Sequence, residues 1–599
     1  MLRDLYLYAV AHPDVIMPSG FSEGSVDLVV CVDQNGSIVD ISDVRDNGKG
    51  HKFVRPVRNG AKNDDPFVRK AEIFISGANA KLQSLVGEFE SCDDILFNGI
   101  RSLLCSNLQG LLDAINYKFR DLFGADLSML ACSKDKKDQA KLKLNIGFSV
   151  LDANRVEIYA WDVPGVKKWW NDLYRSENAS SRSCIDILTG EPCVASKLIK
   201  NTSLKAAAGG QTSGSNLISF NVSSFESYGF EQGANLPAGM ESVSMAIDAY
   251  NHLAINGVRL ADMRLICWCS GLDSDIESDF RDVFQFDFGS ADKTMSQDDI
   301  DAAGRRIRDI LSAPLDADKY GSLEKGTYHV MLTKADAARI SVLFYDTGDC
   351  VSLLRHYRNW YDGMRVADLT GRNILKQRNA YGLIFAAVSI RDRKASDMFA
   401  KHRKFVKPIV QACMQGRPLP DDLLYMAVRA FQSAFHPAGD DKVNLASFGS
   451  TVQLIQLCLT IGKEGSTMPD NNKSDAYLCG CLFAVHEWFY GVATRNSDAM
   501  TEKFVACCQK PAAQIKKIQM LCAHRMRDVH WFVAKKLFKS ECEAIFGSLN
   551  AVPAGLDVRQ QAEFILGYWH EQGHISCEIE KAKTGSTNNN MNQEDDSND

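Results

Sequence analysis

The sequence predicts an α+β protein: a mixed α/β N-terminal portion, made of hairpins and small sheets, followed by a C-terminal helical bundle. Three observations lead there. Runs rich in β-branched residues, such as Val26 to Val32, are confined to the part of the chain before about Ala395, and such runs favour strands. Asn35-Gly36 between two of these runs is a hairpin signal, because tight turns need positive φ that Asn and Gly tolerate. After Ala395 apolar residues recur at three and four, with short polar or Pro/Gly breaks between segments, which is the periodicity of packed helices. The boundaries that follow are 1–150 for an N-terminal α+β region, 151–394 for a central α+β region, 395–578 for the bundle and 579–599 for a disordered tail.

In order, Leu2 to Val10 reads as a short helix stopped by His12-Pro13. Val26 to Val32 is a strand, and Ser37 to Ile41 returns beside it. Asn47 to Asp64 is glycine-punctuated and basic with little periodicity, and reads as a loop. Phe89 to Phe123 carries apolar residues at helical spacing and reads as two helices, Leu142 to Ile158 as a strand pair, and Lys167 to Ser176 as a helix containing Trp169-Trp170. Asp262 to Trp268, Tyr328 to Leu332 and Arg339 to Phe344 read as strands. Between them Asp273 to Asp301 is acidic and reads as an exposed helical insertion. The bundle helices are Asp421 to His436, Leu445 to Gly462, Ala476 to Thr494, Met500 to Cys508, Pro511 to Lys539 and Gln560 to Gln572. The Asn run and acidic end of Ile579 to Asp599 have the composition of a segment that cannot bury enough to fold.

With 599 residues the chain is long enough for two to four domains. A net charge of -7 excludes a globally basic nucleic-acid binder, so any such contact rests on local positive patches. The 18 cysteines are scattered, and the close pairs Cys267/Cys269, Cys479/Cys481 and Cys507/Cys508 lack doubled CxxC spacing. They read as core thiols rather than zinc ligands. No apolar run reaches the roughly 20 residues of a membrane span. Met1 to Val10, interrupted by Asp4, is not a signal peptide. Free thiols and no export signal place the protein in the reducing cytoplasm.

Three segments carry candidate chemistry. Lys49, His51, Lys52, Arg55, Arg58 and Lys62 cluster in the N-terminal loop, where flexible cations on a loop grip phosphates. Gly209 to Leu253 opens with a glycine-rich loop, Gly209 to Gly214, and continues into a polar loop with Phe225, Tyr228, Gln232 and Asn235. Exposed N–H groups of a glycine loop hold phosphate oxygens, and amides with aromatics suit nucleotides; the competing reading is a buried glycine turn with an aromatic core. Lys200, Lys205, Gln211, Ser213 and Asn216 are the contacts proposed there. Between Thr501 and Gly547 nine lysines and arginines face four acidic residues, a local excess of five positive charges in an acidic chain. Lys516, Lys517, Arg525, Lys535 and Lys536 lie in it, and a basic bundle face of this kind tracks a single strand.

The blocks GGQTSGSNLISFN and FESYGFEQGANLP, with the helix AIDAYNHL, resemble the signature of the large subunit of the type I-C CRISPR surveillance complex (Cascade), a Csd-type CRISPR-associated family. LTGEPCVASKLIK (Leu188 to Lys200), YHVMLTKADAARISVLFYDTG (Tyr328 to Gly348), DAYLCGCLFAVHEWF (Asp475 to Phe489) and FILGYWHEQGH (Phe564 to His574) resemble further family blocks in the same order. The resemblance implies a subunit that binds without catalysis and without cofactor. It implies PAM (protospacer-adjacent motif) recognition, help in opening the duplex and stabilisation of the displaced strand, while the guide reads sequence. The implied partners are CRISPR RNA, target double-stranded DNA, the backbone and RNA-processing subunits, and the helicase-nuclease. It also implies a small subunit made from an internal start in the same gene, for which Met426 and Met468 are the candidates.

One motif points elsewhere. His570-Glu571-Gln572-Gly573-His574 matches HExxH, the pattern of a zinc peptidase with two histidine ligands and a glutamate base. Gly573 weakens the helix that must hold both ligands, and a third ligand downstream would have to come from Glu578, Glu580 or the tail. Asp273 to Asp279 lacks the Gly and Glu of an EF-hand loop, since Ser278 and Phe284 stand there. Gly209 to Gly214 lacks the Lys of a Walker loop. A protein-only scaffold, using the signature loops for subunit contacts, is the third class.

Overall fold

The computed structural model describes residues 1–594 apart from 19, 57–65, 93, 95, 203–209, 211–214, 221, 261, 273–275, 279, 282–304, 306–323, 389–401, 436–444, 463–472 and 496–497. The described residues are helical in the C-terminal part and carry small sheets before it, the α+β architecture the sequence predicts. The chain divides into two compact units: Met1–Ile255 with Ala335–Ser341, and Asn256–Lys334 with Val342–Asp599.

In the first unit, Leu2–Ala11 forms helix α1, ending before Pro13 as the backbone restriction ahead of proline requires. Phe21–Val26 is β1. Leu28–Val32 (β2), five buried residues in succession, pairs antiparallel with Ile38–Asp43 (β3). The turn between them is closed by Asp33, whose Oδ1 accepts the N–H groups of Asn35 at 2.9 Å and Ser37 at 2.8 Å. His51–Pro56 is a further strand, β4, paired with β1. This corrects the reading of 47–64 as a loop, and residues 57–65 lie outside the described part. Its entry is the two-residue turn Asn47-Gly48, both at positive φ, closed by Asp46 and Lys49. That is the geometry a hairpin turn of this length prefers.

Arg69–Lys70 (β5) follows, then helices α2 (Ala80–Glu90), α3 (Asn98–Ser106), α4 (Leu108–Phe123), α5 (Leu127–Cys132) and α6 (Lys136–Lys141). Asn145–Leu151 (β6) pairs parallel to β2 and antiparallel to Glu157–Tyr159 (β7), giving a five-stranded sheet. Its apolar face packs on α2–α4 through Phe89, Phe97, Leu103 and Phe148. Pro164–Asn178 forms α7, Ala179–Ile185 and Pro192–Ser196 form the hairpin β8–β9, and Met240–Asn256 forms α8.

The second unit begins with a sheet of Val258–Leu260 (β10), Met263–Ser270 (β11), Thr327–Asp336 (β12) and Arg339–Asp349 (β13), in that order. The tip of the last hairpin, Ala335–Ser341, belongs to the first unit. The acidic insertion read at 273–301 lies almost wholly outside the described residues. Helices follow: α9 (Cys350–Gly363), α10 (Ala380–Ala386), α11 (Val406–Gln415), α12 (Asp421–Gln432), α13 (Gly449–Thr460), α14 (Asp475–Thr494), α15 (Asp498–Thr501), α16 (Phe504–Gln509), α17 (Pro511–Arg525), α18 (Phe532–Ser548) and α19 (Val558–Glu594). The single helix read over Pro511 to Lys539 is two, broken at 526–531. The helix read over 560–572 continues to Glu594, into the segment assigned to a disordered tail.

Helix α14 is the axis of the bundle, with every side chain from Ala476 to Glu487 buried. A helix apolar on all sides belongs at the centre of a core. It crosses α19 at backbone distance. A Cβ on Gly480 would stand 2.0 Å from the Phe564 carbonyl, and one on Gly567 would stand 2.0 Å from the Tyr477 carbonyl. Glu487, buried among apolar groups, accepts hydrogen bonds from the hydroxyls of Tyr568 (2.6 Å) and Thr501 (3.2 Å) and from Gln572 (3.0 Å). Burial pushes its carboxyl above the usual range.

Candidate nucleic-acid interface

The N-terminal cations divide. Lys49, at the Asn47-Gly48 turn, and Lys52, on β4 opposite Ser25, are exposed. Arg55 is on the other face and is 4% exposed. Its guanidinium fills the space over Gly24, where a Cβ would lie 2.2 Å from Nε, and donates to the Pro56 carbonyl at 3.4 Å. Arg55 therefore serves the core, correcting its assignment to the phosphate-gripping set. Strand alternation decides this, since successive side chains point to opposite faces. Arg58 and Lys62 lie outside the described residues.

The signature segment is built on α8 and the β8–β9 hairpin. Asp186 Oδ2 accepts from Gly239 N–H (2.9 Å) and Ser242 Oγ (2.5 Å), and Oδ1 accepts from Leu188 N–H (2.8 Å). One carboxylate thus ties the Leu188 to Glu191 turn to the start of α8. Lys200 is consumed in the fold. It pairs with Asp248 of α8 at 2.5 Å, with side chains 13% and 3% exposed. Burial raises the Asp248 carboxyl, against the opposing pull of Lys200 and of Met17 N–H. This removes Lys200 from the phosphate-facing set. Thr202 and Ser215 bridge the two ends of the glycine-rich loop. Ser215 Oγ donates to the Ala337 carbonyl at 2.7 Å. Asn216 pairs through its backbone with 338–340: its N–H donates to Ala338 O (2.8 Å), and its O accepts from Ile340 N–H (2.9 Å). Lys205, Gln211 and Ser213 lie outside the described residues.

The second polar loop presents aromatic rings rather than burying them. Tyr228 is 97% exposed and Phe225 40%. Tyr228 holds φ at +55° and Gly229 at +75°; for tyrosine the left-handed region costs about 1 kcal/mol. Asn235 enforces this shape. Its Oδ1 accepts Ser227 N–H at 2.8 Å, and its Nδ2 donates to the carbonyls of Phe230 (2.8 Å) and Gln232 (2.9 Å). Asn235 is therefore a brace, while Gln232 stays exposed. Two arginines absent from the sequence reading flank the rings. Arg339 lies 4.3 Å from the Phe225 centroid and Arg182 lies 4.0 Å from that of Phe230. The uncovered Tyr228 ring, on a loop that carries two arginine–phenylalanine contacts, offers a stacking face to a base.

In the second unit the predicted basic residues do reach the surface. Lys516 and Lys517 of α17 and Lys536 of α18 are exposed, and Lys535 is half-buried. None of the four has an ion-pair partner among the described residues. Arg525 is exposed and paired with Asp528 at 3.2 Å. Between the two helices the chain presents Trp531, 38% exposed, and Phe532, 76% exposed. The sequence reading missed both because it ran one helix across the break. Cations with interleaved aromatics are the elements of a single-strand binding surface.

The HExxH histidines are not brought to one metal. His570 is half-buried, its Nδ1 3.0 Å from the Tyr477 hydroxyl, and desolvation with nearby Lys473 pulls it down to about 4. Glu571 and His574 converge instead with Glu541 of α18. The helix runs unbroken through Gly573. The missing side chain gives room to the Asp368 carbonyl, 3.1 Å from where a Cβ would stand.

A model of the family described as CRISPR-associated protein (Cas_Csd1) matches residues 2–575. The chain belongs to that family. Membership of that family makes it a CRISPR-associated protein of the Cascade type, part of a CRISPR effector complex. No curated protein matches it. Among the described residues no helix is long and apolar enough to cross a membrane. All 18 cysteines are free, most of them buried, which fits the core-thiol reading.

Proposed function

We propose that this protein is the large subunit of a type I-C Cascade and works by binding without catalysis. The observation that carries the reading is that Lys516 and Lys517 of α17 and Lys535 and Lys536 of α18 lack ion-pair partners among the described residues, while Trp531 and Phe532, where the two helices break, are exposed. Surface lysines left unneutralised in a chain of net charge -7 are available to phosphates, and the rings stack on bases. That surface holds the displaced strand and so stabilises the R-loop. Lys49 and Lys52 on the first unit, with the Tyr228 loop, engage the PAM-side duplex and the CRISPR RNA. The partners are CRISPR RNA, target DNA, the backbone and RNA-processing subunits and the helicase-nuclease recruited to the open R-loop, acting in the cytoplasm.

A separate small subunit fits a start at Met468 better than one at Met426. Met426 lies inside α12, and a start there would remove the first turn of that helix. Met468, itself outside the described residues, precedes α14 and leaves α14 to α19 entire.

The test is a complex reconstituted with CRISPR RNA and carrying Lys→Glu at 516, 517, 535 and 536. The expected result is normal assembly with loss of stable R-loop formation on a matched target. Unchanged R-loop yield with the four charges reversed would sink the reading.

A further inference from the structure

Helices α18 and α19 face each other across three side chains able to bind metal. One ligand atom from each of Glu541, Glu571 and His574 lies within 4.8 Å of the other two. His574 Nε2 stands 3.4 Å from Glu541 Oε1. Glu571 is 9% exposed; its carboxyl takes a hydrogen bond from the Cys481 thiol, while its Oε1 has no partner among the described residues. A buried carboxylate oxygen without a donor is costly, and the fold must supply it a proton or a cation. A second carboxylate alongside sharpens that need.

We propose that Glu541, Glu571 and His574 form a zinc site that clips α18 to α19, with water completing the coordination. Two carboxylate oxygens and an imidazole nitrogen suit zinc. Calcium needs six or more oxygens, and magnesium takes few protein ligands and no imidazole by preference. The charge also balances: two carboxylates and a neutral imidazole meet a dication. Two thiols lie nearby, Cys481 beside Glu571 and Cys542 next to Glu541, and neither belongs to the converging group. Lys473 is the neighbouring cation. The site is structural. Glu571, the base of an HExxH centre, is here a ligand, and His570 is turned to Tyr477. It does not depend on the nucleic-acid reading.

The experiment titrates zinc into chelator-stripped full-length protein, followed by calorimetry and thermal denaturation, against a Glu541→Gln/His574→Ala double variant. His574 is 47% exposed and Glu541→Gln keeps the side-chain shape, so the variant folds. The expected result is one equivalent of zinc with a raised melting temperature, and affinity at least about tenfold lower in the variant. A cobalt-loaded sample should show d–d absorption without a thiolate charge-transfer band. Equal zinc binding by the two proteins, no melting shift, or a thiolate band would each overturn the proposal.

Discussion

The two candidate surfaces are built in opposite ways. In the first unit the fold consumes polar groups that looked available: Arg55 fills the space over Gly24, Lys200 pairs with buried Asp248, and Asn216 acts through its backbone. What remains among the described residues is Lys49 and Lys52 on their hairpin and a braced loop that pushes Tyr228 into solvent. In the second unit the cations sit on the outer faces of helices whose inner faces make the core, and they stay available. A helix sorts apolar and charged residues by period, so its surface charge is free by construction. A loop has no such rule, and each of its polar residues is first a candidate to hold the loop itself together.

The largest effect should come from treating a first-unit cation as if it belonged to the surface. Lys200→Ala strands Asp248 in the interior and should cost about 3–5 kcal/mol of stability, read as a fall in denaturation midpoint without nucleic acid present. Lys516→Ala should leave that midpoint unchanged; equal effects would erase the contrast. Next, replacing Lys516, Lys517, Lys535 and Lys536 by Ala should lower the salt dependence of single-strand binding by about 3 in the log–log slope. Tyr228→Ala should weaken target binding by about 1–3 kcal/mol, the worth of one stacked base, without altering that slope. A Tyr228 effect that scales with salt would make the loop electrostatic and the two surfaces alike.

The smallest effect concerns pH in the bundle alone. Burial lowers the His486 imidazole below its ordinary value, so the folded protein keeps it neutral while the unfolded chain takes up a proton. The contribution is complete above about pH 6.5 and is lost as the pH falls, no more steeply than about 1.4 kcal/mol per pH unit. His486→Gln should flatten the acid limb of the stability profile; an unchanged limb would assign it to other groups.

Much of this was legible in the chain. Periodicity located α12, α13 and α14, and β-branched runs located β2, β6 and β12. The Asn47-Gly48 turn could have been read by the rule already applied to Asn35-Gly36, and with it β4 and the inward side of Arg55. Trp531-Phe532 was hidden because a helical period carried across 526–531 looks unbroken when only residue types are counted.

The sequence by itself determined the secondary-structure classes, the family and the net charge of each segment, because these depend on residue type and short-range spacing. Tertiary structure alone decided which cations are spent and which are free, that Tyr228 is exposed, and that Glu541 rather than His570 joins Glu571 and His574. Those outcomes depend on partners far away in the chain, Asp248 for Lys200 and Tyr477 for His570. No local pattern encodes which distant groups a fold will bring together.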